Sequence, residues 1–160
     1  MYYMYILTNI WIKNMKSLNM SFEEKSTWVS LAIITFIFAG YFSQVYQGLM
    51  DGTLDQAAVL GLFIGAVVSI IVLEIALHIV IAILNTKDAD QPGDERDRLF
   101  SMKAGNISGW VLGFGVLIIA AHTFMGHLDS LWVANLLLFA VFVSQVVSYA
   151  LQIFYYRRGY

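Results

Sequence analysis

The sequence predicts an all-α protein, a bundle of four transmembrane helices with both termini cytoplasmic. Three observations lead there. Of its 160 residues 59% are hydrophobic and only 12% charged, with a mean hydropathy of +0.72, whereas a soluble domain carries about 25% charged and about 45–50% apolar residues. No Asp, Glu, Lys or Arg interrupts the chain between Lys25 and Asp51, Lys103 and Asp129, or Asp129 and Arg157, and Glu74 is the one such residue between Asp55 and Lys87. A hydrocarbon core about 30 Å thick needs about 20 helical residues, which satisfy their own backbone groups where water is absent. The apolar spans therefore fall near 28–49, 57–84, 104–125 and 131–156.

The third observation is the distribution of cations. Lys13, Lys16 and Lys25 precede the first span, and Lys87, Arg96, Arg98 and Lys103 occupy the linker 85–103. Arg157 and Arg158 follow the last span, and the other two loops have no Lys or Arg. Four crossings place all nine on one side, which the positive-inside rule makes cytoplasmic. A net charge of -2 gives no reason to expect nucleic acid as a partner, and the absence of cysteine excludes disulfides and thiolate metal sites.

Residues 1–19, MYYMYILTNIWIKNMKSLN, read as an extension outside the four-helix domain of residues 20–160. Lys13 and Lys16 follow the apolar stretch instead of preceding it, the reverse of a secretory signal. The alternatives are a short interfacial helix and a segment that adds little to the fold. Ser21 followed by Glu24 is a capping box, and Glu23 and Glu24 suit the positive end of a helix dipole. Trp28 then anchors the first span at the interface, and Tyr41 and Tyr46 lie toward its outer end.

The opening MSFEEKSTW from Met20 resembles that of a family of small, uncharacterised bacterial inner-membrane proteins, which begin Met-Ser/Thr-Phe-Glu-Glu-Lys-Ser-x-Trp. Asp94-Glu95-Arg96-Asp97 before the third span is similar to the second signature of that family. The resemblance covers roughly residues 20–158. It implies a four-helix protein of the bacterial inner membrane, and it brings no activity with it.

Gly61, Gly65 and Ser69 in the second span, and Gly105, Gly109 and Gly113 in the third, recur at intervals of four. Such spacing lets helix backbones approach closely. Packing within the chain is the expectation, with a dimerisation face as the alternative. Pro92-Gly93 breaks the linker, and Asp94 is placed to cap a helix with an acidic first turn. Asp94, Glu95, Arg96, Asp97 and Arg98 read as a solvated helix start or as a docking surface for a cytosolic partner. The halves also look related as parallel hairpins. Leu54-Asp55 matches Leu128-Asp129, and Val59, Leu62 and Ala66 match Val133, Leu136 and Ala140, although Asp51 competes with Asp55 for Asp129.

Glu74 most needs explanation, because an acid at mid-helix costs about 2.5–3.5 kcal/mol on insertion scales and should face the interior with a partner. His78, one turn later on the same face, is that partner. Counting depth along antiparallel helices adds Asn106, Ser108, Gln145, Ser148 and Gln152 to a polar layer opening toward the cytoplasm. The layer reads either as hydrogen-bonded glue or as a proton or solute path. Glu74 and His78 supply two ligands where a catalytic zinc needs three, and no sequence spacing marks a triad, a phosphate loop or a zinc ribbon. No metal, cofactor or catalytic residue is therefore assigned. The sequence ranks first a non-enzymatic scaffold or regulatory module. Its partners would be the bilayer, another membrane protein, a cytosolic regulator or a second copy of the chain. A small proton-coupled carrier using Glu74 and His78 comes second.

Overall fold

The computed structural model describes residues 21–84 and 95–158. They form four long helices, α1 (Phe22–Met50), α2 (Gln56–Leu84), α3 (Glu95–Phe124) and α4 (Ser130–Arg158). Each is long and apolar enough to cross a membrane. The extension 1–19, Pro92-Gly93 and the capping role of Asp94 lie outside the described residues. The helices α1 and α3 begin before the apolar spans at 28 and 104, because backbone hydrogen bonding continues through polar first turns that need not enter lipid.

Local chemistry fixes the helix ends. Ser21 Oγ accepts from the Glu24 amide at 3.1 Å, forming the serine half of the capping box. The Glu24 carboxylate reaches across to α4, where its Oε1 lies 2.7 Å from Arg157 Nε. The pair is close enough for ionic attraction, although its geometry is not that of a hydrogen bond. Asp55 Oδ1 accepts from the Ala58 amide at 2.8 Å and Asp129 Oδ1 from the Trp132 amide at 2.9 Å, so the two aspartates cap α2 and α4 in the same way.

The turns before those aspartates are also alike. Gly52 (φ 64°) and Gly126 (φ 72°) take the left-handed conformation that side chains resist. After them the Thr53 amide donates to Gly48 O at 2.9 Å and the His127 amide to His122 O at 3.2 Å, the closing bond of a Schellman motif in each case. Asp55, not Asp51, is thus the local counterpart of Asp129.

Contacts run in opposite order along each packed pair, so neighbouring helices are antiparallel. Between α1 and α2, Ser26 meets His78, Ser30 meets Glu74, and Tyr41 meets Phe63. Between α1 and α4, Glu24 meets Arg157, Phe38 meets Phe142, and Tyr41 meets Asn135. Between α3 and α4, Phe100 meets Tyr155 and Ser144 meets Ser108. These three are the closely packed pairs, so α1 and α4 form the centre and α2 and α3 flank it. Among the described residues all Lys and Arg side chains belong to one end of the assembly, and the opposite end carries Asp51, Asp55 and Asp129.

The burial pattern is compatible with a multi-pass membrane protein. The interior contains Thr27, Ser30, Ser108, Asn135, Ser144 and Ser148, while Phe36 (82%), Leu117 (67%) and Ile83 (66%) are largely exposed. Where lipid is as apolar as leucine, small and hydroxylated residues gain most from helix contact, and the large apolar ones can face outward.

The glycine stripes do not serve that contact. Among the described residues, a Cβ added at Gly61, Gly65, Gly105, Gly109 or Gly113 meets nothing within 4 Å, and Ser69 is exposed. The expectation of packing within the chain is therefore corrected. An open groove between α1 and α2 is lined by Gly40, Gln44, Gly61, Gly65 and Ser69. Close approach occurs instead at Gly48, where a Cβ would run into the Leu54 side chain, and at Gly115, whose Cβ would lie 3.1 Å from Ala140 Cβ. A four-residue interval identifies a face, but not what lies opposite it.

Candidate functional site

The site forms where the charged ends of α1 and α2 meet. On α2, Glu74 and His78 stand one turn apart on one face, and on α1, Ser26 and Ser30 stand one turn apart facing them. Antiparallel packing matches the two intervals. Ser26 Oγ lies 2.5 Å from His78 Nε2, and Ser30 Oγ donates to Glu74 Oε2 at 3.0 Å. From α4, Tyr149 stands within hydrogen-bonding reach of Ser30 and in the field of Glu74.

The surrounding acceptors settle the histidine tautomer. His78 Nδ1 is 2.7 Å from Glu74 O and 3.0 Å from Glu74 Oε2. Glu74 O is a main-chain carbonyl and can only accept, so Nδ1 carries the hydrogen and Nε2 presents its lone pair to the Ser26 hydroxyl. One imidazole is thereby held between a carboxylate and a hydroxyl. The His78 and Glu74 side chains retain 34% and 23% of their exposure, and Ser26 is half-buried, so the cluster can be reached from outside.

The other residues expected in the polar layer are distributed differently. Ser108 and Ser144 meet on the α3–α4 contact, where Ser144 Oγ donates to Ser108 O at 2.9 Å. Gln152 Nε2 donates to Ser148 Oγ at 3.4 Å within α4. Asn106 and Gln145 are exposed, and the expectation that they join a buried layer is corrected. Depth counting places residues at one level along the membrane normal but does not orient them about their helix axes. Reading the sequence missed Ser26, Ser30 and Tyr149. The signal available was the paired four-residue interval, Ser26/Ser30 against Glu74/His78 at matching distances from the charged ends of successive helices. It also missed Asn135, whose Oδ1 accepts from the buried Tyr41 hydroxyl at 2.7 Å in the other half of the assembly.

At the charged end, Phe100 is 2% exposed between the rings of Tyr155 and Tyr156, and the Arg96 guanidinium sits 5.2 Å from its centroid. Tyr156 is hydrogen-bonded to Asp97. Glu95, Arg96 and Arg98 are exposed, so this first turn of α3 presents mixed charge to solvent. His122 and His127 lie at the opposite end, 6.3 Å apart between ring centroids, and no three His, Asp or Glu side chains among the described residues are grouped to hold a metal ion.

Comparison of the chain with protein families, with curated proteins and with solved structures gives no match. Fold and site together define an all-helical protein with four membrane-length helices and a hydroxyl–imidazole–carboxylate cluster near the charged end.

Proposed function

We propose that this is a multi-pass protein of the bacterial inner membrane, with both termini cytoplasmic, that handles protons at Glu74 and His78 as a small proton-coupled carrier. One observation carries the reading: His78 has the Glu74 carboxylate 3.0 Å from one ring nitrogen and the Ser26 hydroxyl on the other, at the cationic end of the assembly. An acid and an imidazole in contact within an apolar helix read as a proton-handling site, because the charged form of either costs free energy there and a partner offsets it. The gathering of cations at the same end supports a cytoplasmic opening. In vesicles containing the purified protein, Glu74→Gln is expected to abolish proton-coupled solute movement and to leave the thermal midpoint within a few degrees of wild type. A variant that merely melts earlier, with flux unchanged per folded molecule, would return the cluster to a structural role.

The exposed turn at Glu95, Arg96 and Arg98 favours a second reading, a scaffold or regulatory module whose cytoplasmic linker docks a soluble or membrane partner. Reversing Arg96 and Arg98 to Glu is then expected to abolish partner cross-linking in native membranes. An unchanged cross-linking pattern counts against docking.

A further inference from the structure

The hydroxyl, imidazole and carboxylate at this site stand in the order that activates a serine. Ser26 Oγ faces His78 Nε2 at 2.5 Å, while the opposite nitrogen of the ring bonds the main-chain Glu74 O at 2.7 Å with Glu74 Oε2 beside it at 3.0 Å. A serine nucleophile needs a base on one imidazole nitrogen and an orienting acid on the other, and the constellation is recognised by these roles, not by fold or sequence order. Ser30 donates to the same carboxylate oxygen at 3.0 Å and so fixes the acid in its turn.

Two comparisons within the molecule separate this arrangement from ordinary helix glue. Thr27, Ser108 and Thr123 bond back to main-chain oxygens of their own helix, at 2.8 Å, 3.0 Å and 2.8 Å, and Ser144 crosses to α3 only to reach the main-chain oxygen of Ser108 at 2.9 Å. Ser26 turns instead to an imidazole on another helix. Ser30, one turn further on, is 6% exposed, whereas Ser26 and His78 both remain accessible.

We infer that Ser26 is a nucleophile, with His78 as its general base and Glu74 as the acid that orients His78, acting on acyl esters presented by the bilayer surface. The inference goes beyond the carrier reading and shares with it only the proton-accepting role of His78. Location specifies the substrate class. Ser26 lies four residues into α1, about 6 Å along its axis, and two residues before Trp28, which is 43% exposed. That is the level at which an interfacial tryptophan and lipid ester groups reside. One residue on from Glu74 and His78, Ile75 and Ile79 of α2 are exposed at 58% and 54%, an apolar surface along which an acyl chain can lie.

The chemistry balances with water as the only co-reactant. The Ser26 Oγ–carbonyl bond forms as its proton passes to His78 Nε2. That proton then goes to the leaving alcohol as the ester C–O bond breaks. Water, deprotonated by the same nitrogen, attacks the acyl-serine, and the carboxylic acid leaves as Ser26 recovers its hydrogen.

The test uses the full chain in phosphatidylglycerol vesicles and a fluorophosphonate probe, whose P–F bond breaks as a Ser26 Oγ–P bond forms. Mass spectrometry is expected to find the adduct on Ser26. It should persist in Thr123→Ala, which lies at the opposite end of the assembly, disappear in Ser26→Ala and form about 100-fold more slowly in His78→Ala, the scale of lost general-base assistance. Glu74→Gln should slow it by a smaller factor, because the Glu74 backbone oxygen, 2.7 Å from Nδ1, still holds the tautomer. If His78→Ala does not fold, Ser26→Cys replaces it, and its alkylation by iodoacetamide should outpace that of Ser30→Cys by at least tenfold. Folded wild-type protein that gains no adduct at Ser26, or equal rates with and without His78, overturns the inference. Equal alkylation of the two cysteine variants does the same. Flux without labelling sinks this inference alone, and labelling without flux sinks the carrier reading alone.

Discussion

Asn135 is 6% exposed and uses both ends of its amide, donating from Nδ2 to Leu131 O at 2.8 Å and accepting from the Tyr41 hydroxyl at 2.7 Å. Tyr41, at 4% exposure, also meets Phe38 and Phe42 on its own helix and Phe63 on α2, so one side chain ties the central pair α1–α4 to α2. Tyr41→Phe keeps those ring contacts and removes only the hydroxyl. It is expected to cost about 1–2 kcal/mol, because a buried amide oxygen then loses its donor. Equilibrium unfolding in mixed micelles measures this, and a change under a few tenths of a kcal/mol would mean that Asn135 finds another partner. Glu24 poses a related problem nearer the charged end. Its side chain is 10% exposed and has Arg157 beside it, but the arginine side chain is 57% exposed, so solvent screening holds the gain from that contact well below that of a fully buried pair.

At the scale of the helix and its turn, glycines divide into those the backbone requires and those it does not. Gly52 and Gly126 hold positive φ, so Gly52→Ala and Gly126→Ala are each expected to cost about 1 kcal/mol or more. Gly115→Ala crowds Ala140 and should loosen α3 from α4. Gly109→Ala adds a methyl group to open space and improves helix propensity, so it should be neutral or slightly stabilising in the monomer. Thermal unfolding of the four variants tests this ordering. A marked loss in Gly109→Ala would mean that something outside the described residues covers that face. The two hairpins share turn geometry through Gly52–Asp55 and Gly126–Asp129. Their helices differ in surroundings, because α1 and α4 pack centrally while α2 and α3 flank them.

For the whole molecule, the sorting of Lys25, Arg96, Arg98, Lys103, Arg157 and Arg158 to one end predicts a single orientation. An alkaline phosphatase fused after Tyr160 is expected to be inactive in cells, and green fluorescent protein at the same place to fluoresce. The opposite pair of results would invert the assignment and put the Ser26–His78–Glu74 cluster on the outer side.

Four membrane-length helices and the one-sided placement of cations follow from the sequence alone. Composition decides whether water or lipid is the better solvent, and a rise of about 1.5 Å per residue converts an uncharged run into a thickness. Glu74 also announced itself, because a lone acid in an apolar helix needs a partner, and a helix turn supplies His78. Only the tertiary structure decided what faces what. It left Gly61, Gly65, Gly105, Gly109, Asn106 and Gln145 at the surface, and it brought Ser26 to His78 across 52 residues of chain. Periodicity along one helix fixes which residues share a face, but the rotation of that helix against its neighbours depends on side chains distant in sequence.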